Sequence, residues 1–195
     1  MPLMFVAMSV FIDWTQRIQS DKRFERQWKT RLDDDTFYIF REANGYCICS
    51  VRPWLSPLDV SIIKLVSIWT NVTDRHKGIA NRCMRSMMRY LDEVNSELDK
   101  SDRGIMLLYP VPFQCGWHED TRFDGTADMI GYQDDSGHIE SFPEYLHYRT
   151  WTELRDWYAW LGFQETEKAE LNIGKSIKSR QIKRMPMIYP SGIVK

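Results

Sequence analysis

Arg75-His76-Lys77-Gly78-Ile79-Ala80 stands at the junction of two unlike patterns, and its reading decides the fold. Before it, Val60 to Thr70 is rich in Ile and Val and predicts a strand. After it, Ile79, Cys83, Met87, Tyr90, Leu91, Val94 and Leu98 fall on one stripe, with Arg82, Arg85, Arg89 and Glu93 opposite. That spacing predicts a helix of roughly five turns from Gly78 onward. Gly104 to Pro110 is then a short apolar run, consistent with a buried strand. Strand, turn, long helix and strand make a crossover unit, whose two strands should be parallel and whose connection should be right-handed. The helix start has unpaired N–H groups and a partial positive charge, and Gly78 lets the backbone approach a phosphate closely. The spacing is neither that of a Walker loop nor the three-glycine dinucleotide fingerprint.

Upstream, Thr36 to Ala43 and Tyr46 to Arg52 are β-rich and flank Asn44-Gly45, the pair favoured in type I′ turns, so a hairpin is expected. Pro53 to Pro57 should close it, and the Val60 strand should lie next in the sheet. Leu3 to Ser9 is a continuous apolar run that reads as a buried first strand. Val10, Trp14, Ile18 and then Phe24, Trp28, Leu32 recur at four-residue steps, predicting two short amphipathic helices with a break near Ser20-Asp21.

Downstream, residues 111–150 lose sustained periodicity, and their acids outnumber their bases by six. This reads as a long acidic insertion, the kind of loop that carries function. Thr150 to Leu161 is helical again and ends at Gly162, a natural residue for the left-handed position after a helix. Phe163 to Leu171 and Ile182 to Tyr189 predict a closing strand pair.

The chain has 195 residues, enough for one ordinary domain, so 1–195 is read as a single domain containing the 111–150 insertion. With 43% hydrophobic and 27% charged residues and a net charge of −1, neither a disordered chain nor a wholly basic nucleic-acid module fits. Cys47, Cys49, Cys83 and Cys115 show no C-x-x-C spacing, so no metal is expected and all four read as reduced core thiols. Met1 to Ile12 is apolar but lacks a basic flank and a cleavage site, and it is far short of a bilayer span, so a cytoplasmic protein without a membrane is expected. A monomer or a homodimer is expected.

Arg75, Gly78 and Ala80 match the Arg/Gln-x-x-Gly-x-Gly/Ala loop of the GCN5-related N-acetyltransferases, and Tyr158-Ala159-Trp160-Leu161-Gly162-Phe163 matches that family's Tyr-x-x-x-Gly-Phe signature in the right order. The chain therefore resembles this family over nearly its whole length, with 111–150 as the main departure. The resemblance implies an α/β (α+β) domain around a mixed, mostly antiparallel, splayed sheet flanked by helices. It implies acetyl-CoA as co-substrate and direct transfer of the acetyl group to a primary amine. Backbone N–H groups of Arg75, His76, Lys77, Gly78, Ile79 and Ala80 would hold the pyrophosphate, with the Arg75 and Lys77 side chains adding charge. Ile68, Trp69 and Thr70 would offer backbone groups to the pantetheine arm and acetyl carbonyl. Tyr158 matches the tyrosine that protonates the departing thiolate, while Trp151 stands about where the family has an asparagine.

The general base is not fixed by a motif; His118, Glu119 and Asp59 are the candidates, since a carboxylate, an imidazole or a water chain must take the amine proton. The acidic insertion, with Trp117, Phe123, Tyr132 and Phe142, suits a cationic amine, on a small molecule or a protein. From Lys168 to Lys195, bases outnumber acids by six, which suits the CoA 3′-phosphate or a nucleic-acid backbone. Acetylation of a nucleic-acid base or tRNA, or non-catalytic binding on the same fold, are the alternative expectations.

Overall fold

The computed structural model describes residues 3–27, 36–55, 60–70, 74, 76–110, 131–133, 139–141, 151–166 and 186–190. In chain order these form α1 (Leu3–Ser20), β1 (Phe24–Gln27), β2 (Thr36–Glu42), β3 (Gly45–Leu55), β4 (Ser61–Thr70), α2 (Ile79–Ser96), β5 (Gly104–Leu108), β6 (Gly131–Gln133), β7 (Ile139–Ser141), α3 (Trp151–Leu161), β8 (Gln164–Glu165) and β9 (Met187–Tyr189). Seven strands make one sheet in the order β1-β2-β3-β4-β5-β9-β8, and β6 pairs with β7 separately. Only β4 and β5 pair in parallel; the other neighbours are antiparallel. The fold is thus mixed α+β around a mostly antiparallel sheet.

The parallel crossover pair, the β2–β3 hairpin, α3 and the antiparallel pairing of β8 with β9 follow the sequence reading, while residues 167–171 and 182–185 of the expected closing strands lie outside the described residues. The N-terminal region does not. Leu3 to Ser9 belongs to α1, which runs without interruption into Val10, Trp14 and Ile18, all fully buried at i, i+4, i+8. A solid apolar run has no period of its own, so its helical continuation decides. The helix ends where expected, at Ser20-Asp21, but Phe24 then starts a strand instead of a second helix, with its ring 4.8 Å from that of its partner Phe40. Trp28 and Leu32 lie outside the described residues. Pro53 does not close the hairpin either, because β3 continues through it to Leu55 opposite Ser61.

One face of the sheet carries all three helices. Trp14 of α1, Cys83, Met87 and Leu91 of α2, and Tyr158 and Leu161 of α3 pack on Tyr38, Phe40, Cys49, Leu65 and Met106. Burial of a Met or Leu here contributes about 1.5–3 kcal/mol. The indole Nε1 of Trp14 donates to the Met87 carbonyl at 3.0 Å, joining α1 to α2. Ile62, Ile105, Leu107 and Ile188 form a smaller buried cluster on the opposite face. All five residues of β5 are buried, as its unbroken apolar sequence requires. Asn95 ties the end of α2 to the start of β5. Its amide donates to the Gly104 carbonyl at 3.0 Å and accepts from the Gly104 N–H at 2.8 Å.

Candidate functional site at the end of β4

The ladder joining β4 to β5 spans Ser61–Lys64 and Gly104–Leu107, while β4 runs on to Thr70. Two residues past the last rung, Ser50 pairs with Ser67 and Val51 with Leu65, so Val66 is an extra residue on β4. A bulge bends and twists its strand. Here it places Leu65 and Ile68, three apart, against the same helix-side core and leaves Val66 39% exposed. The strand therefore changes course just where β5 stops accompanying it. Trp69 and Thr70, at its end, stand opposite Ile48 and Cys47 of β3.

Of the Arg75–Ala80 stretch, His76 to Ala80 are described. His76 (φ 63°) and Gly78 (φ 74°) are both left-handed. For His76 this is uncommon, since a Cβ disfavours the region. Alternation of right- and left-handed residues turns successive N–H groups toward one concavity, which suits an anion. The first turn of α2 is closed by the Arg82 N–H donating to the Gly78 carbonyl at 3.1 Å. The N–H groups of Ile79, Ala80 and Asn81 precede that bond, so the helix itself does not use them. A Cβ on Gly78 would meet Arg82 Nη1 at 2.9 Å, and the positive φ there opposes any side chain.

The loop is clamped to the β2–β3 hairpin. Lys77 Nζ donates to Asp74 Oδ1 and to the Asn44 carbonyl, both at 2.9 Å, and the Tyr46 N–H donates to Asp74 Oδ2 at 3.2 Å. Arg82 reaches the same hairpin through Glu42, its Nε donating at 2.7 Å, and that bond raises the guanidinium's pKa. The Lys77 charge, expected to face a phosphate, is thus held by Asp74 and the hairpin. The hairpin's two turn residues are Ala43 and Asn44, neither with positive φ, and Gly45 (φ 143°) opens β3. This is not the type I′ turn that Asn-Gly predicts. Gly45 is needed because a Cβ there would collide with the Asp74 carboxylate.

Beside the hairpin lies a groove of about 860 Å³ lined by Arg23, Arg41, Glu42, Ala43, Asn44 and Arg82. Its three arginines are each paired with a carboxylate, of Asp21, Glu25 and Glu42 respectively, so it presents little net positive charge.

Helix α3 lies along the first half of α2. Trp157 Nε1 donates to Asn81 Oδ1 at 2.5 Å, one turn later Trp160 meets Arg85, and the methyl of Met88 lies 3.9 Å from where a Cβ on Gly162 would be. Tyr158 is 6% exposed, with its ring 4.7 Å from Trp157 and 5.8 Å from Phe163, in the same apolar cluster as Ile79. Cys47, Cys49 and Cys83 are free, buried thiols, and burial first of all pushes the Cys83 pKa well up. Among the described residues, no three His, Cys, Asp or Glu side chains are placed to hold a metal ion. None of their helices is long and apolar enough to cross a membrane.

The structure brings Ile68, Trp69 and Thr70 to the end of β4 and His76 to Ala80 to the start of α2. Arg75, Asp59, His118, Glu119 and Cys115 lie outside the described residues. Sequence reasoning missed Asp74, Glu42 and Asn81, which set the loop and α3 in place. The remaining signal for Asp74 was its position three residues before Lys77. Compared with known proteins, the chain matches no family model, no curated protein and no solved structure.

Proposed function

We propose that this protein is an acetyl-CoA-dependent N-acetyltransferase of the GCN5-related kind, transferring acetyl directly to a primary amine. The observation that carries the reading is the end of the β4–β5 ladder at Lys64 and Leu107, next to the bulge at Val66, with β4 leading on toward the left-handed turn at the start of α2. The single parallel pair, the crossover helix and the antiparallel return through β9 and β8 support it. On this reading the N–H groups from Arg75 to Ala80 hold the pyrophosphate and the backbone of Ile68 to Thr70 borders the thioester. A backbone N–H there would stabilise the oxyanion as the amine nitrogen attacks the carbonyl carbon and the C–S bond breaks. Tyr158 would give its proton to the departing thiolate, and His118, Glu119 or Asp59 would take one from the amine.

Calorimetric titration with acetyl-CoA tests the binding half, beside an Arg75→Ala/Gly78→Glu double variant. Micromolar binding lost in the variant supports the reading; no binding by the folded wild type refutes it. The burial of Tyr158 favours a second reading, a CoA-binding protein without turnover. CoA release from acetyl-CoA with added amines, abolished by Tyr158→Phe, would exclude that alternative.

A further inference from the structure

Trp160 is the most exposed large apolar side chain among the described residues, at 60%. The guanidinium carbon of Arg85 lies 4.7 Å from its ring centroid. The neighbouring arginines of α2 are committed elsewhere, Arg82 to Glu42 and Arg89 to Glu93. Arg85 meets no carboxylate among the described residues, where its contact is with the indole of Trp160. An exposed cation–π contact is worth only about 0.5–1 kcal/mol, a weak reason to leave an indole in water. Stacking uses the face of a guanidinium and leaves its edge donors free for an anion, while the indole's second face can take another planar ring. The pair thus offers, side by side, one aromatic surface and one positive charge that no carboxylate among the described residues neutralises, complementary to a nucleotide.

Its position names the nucleotide. Gly78, Arg82 and Arg85 stand at i, i+4, i+7 on one face of α2, so Arg85 lies about 9 Å along the axis from the helix start. The Asn81–Trp157 hydrogen bond fixes α3 alongside that interval. We infer that Trp160 and Arg85 form the stacking and phosphate-binding site for the adenosine 3′-phosphate end of the thioester donor. This rests on the acetyl-CoA reading above and deepens it. The donor is the free coenzyme, and a phosphopantetheine thioester without the nucleotide, as carried on a protein, is discriminated against.

The test is calorimetric binding of three probes, acetyl-CoA, S-acetyl-4′-phosphopantetheine and adenosine 3′,5′-bisphosphate, to wild type, Trp160→Leu and Arg85→Gln. Both positions are on the surface, and far-ultraviolet circular dichroism checks that the variants fold. The wild type should prefer acetyl-CoA to the truncated thioester by at least tenfold. Each substitution should weaken acetyl-CoA and the bisphosphate by about tenfold, the scale of one base–aromatic stack, and leave the truncated thioester unchanged. Wild-type binding of acetyl-CoA with no loss in either variant overturns the inference and leaves the acetyl-CoA reading standing. Binding of neither thioester refutes the acetyl-CoA reading and this inference with it. Trp160-dependent binding of single-stranded RNA, with no effect on the bisphosphate, likewise overturns the assignment in favour of a nucleic-acid partner.

Discussion

Replacement of Asp74 by alanine removes the post that holds the loop before α2 against the hairpin. Asp74 is 8% exposed and accepts from the Tyr46 N–H and from Lys77 Nζ. Lys77 loses little, because its side chain is 39% exposed and keeps the Asn44 carbonyl; a pair so wet is worth about 0.5–1 kcal/mol. The Tyr46 N–H is part-buried and is left without this carboxylate, at a cost of about 1–2 kcal/mol. Together these amount to about 1.5–3 kcal/mol, which for a domain of this size lowers Tm by roughly 3–12 °C. Urea denaturation and a thermal scan both report it. Asp74→Asn keeps an oxygen for the Tyr46 N–H and should cost about half as much. A sharper check uses Gly45, where an added Cβ collides with Asp74 in the wild type. Gly45→Ala should cost less in the Asp74→Ala background, because only the positive φ remains to oppose it. Strict additivity of the two substitutions, or a Tm change under 2 °C for Asp74→Ala, would refute the clamp. On the proposed function, acetyl-CoA binding should weaken in Asp74→Ala together with stability, since the loop then loses its carboxylate tie to the Tyr46 N–H of the hairpin.

Other perturbations probe the frame. The Arg23 guanidinium, bonded to Asp21 at 2.6 Å, holds that carboxyl well below the usual carboxylate range, helped by the Arg23 N–H and by the Tyr90 hydroxyl. The folded state then binds fewer protons than the unfolded chain, so this stabilisation is complete above about pH 5 and is lost as pH falls below about 4. Asp21→Asn should destabilise by about 1.5–3 kcal/mol at pH 7 and flatten the acid limb of a stability–pH curve. A wild-type acid limb in the Asn variant would contradict the assignment. Among the described residues the buried Tyr38 hydroxyl meets the geometry of no hydrogen bond, with the Gln19 side chain its polar neighbour, and burial pushes its pKa up to about 12, so Tyr38→Phe should raise stability by about 1 kcal/mol. A drop in the urea midpoint would show that the hydroxyl is satisfied. Asn95→Ala removes both bonds to Gly104 in a buried setting and should cost about 2–4 kcal/mol, with early amide exchange of β5 as a local readout.

The parts legible in the sequence are those with a period of their own. The stripe from Ile79 to Val94 had a single solution, and so had β4 and β5 around it. Leu3 to Ser9 was misread because a continuous apolar run is equally consistent with a buried strand and a buried helix, and only its junction with Val10, Trp14 and Ile18 makes it helical. Phe24 failed for the opposite reason. Its four-residue spacing to Trp28 looked helical, while the fact that decides its state, a place opposite Phe40, lies 16 residues away.

The candidate site divides in the same way, and Gly45 shows why. The Asn44-Gly45 pair announced a hairpin correctly, but for a reason that local turn chemistry does not contain. The turn itself is Ala43-Asn44, and the glycine is one position later. What requires it is Asp74, from a segment 29 residues further on, packed where a Cβ would be. The bulge at Val66 is similar, since three-residue spacing of Leu65 and Ile68 looks like a broken strand until both are seen against one core. Local signals thus placed the candidate turn at the start of α2. Its shape comes from contacts between Asp74, Lys77, Arg82 and the hairpin that close only in the folded chain. Of two single substitutions in the hairpin, Gly45→Ala should accordingly lose more stability than Asn44→Gly, even though turn statistics rank Asn44 as the more committed residue.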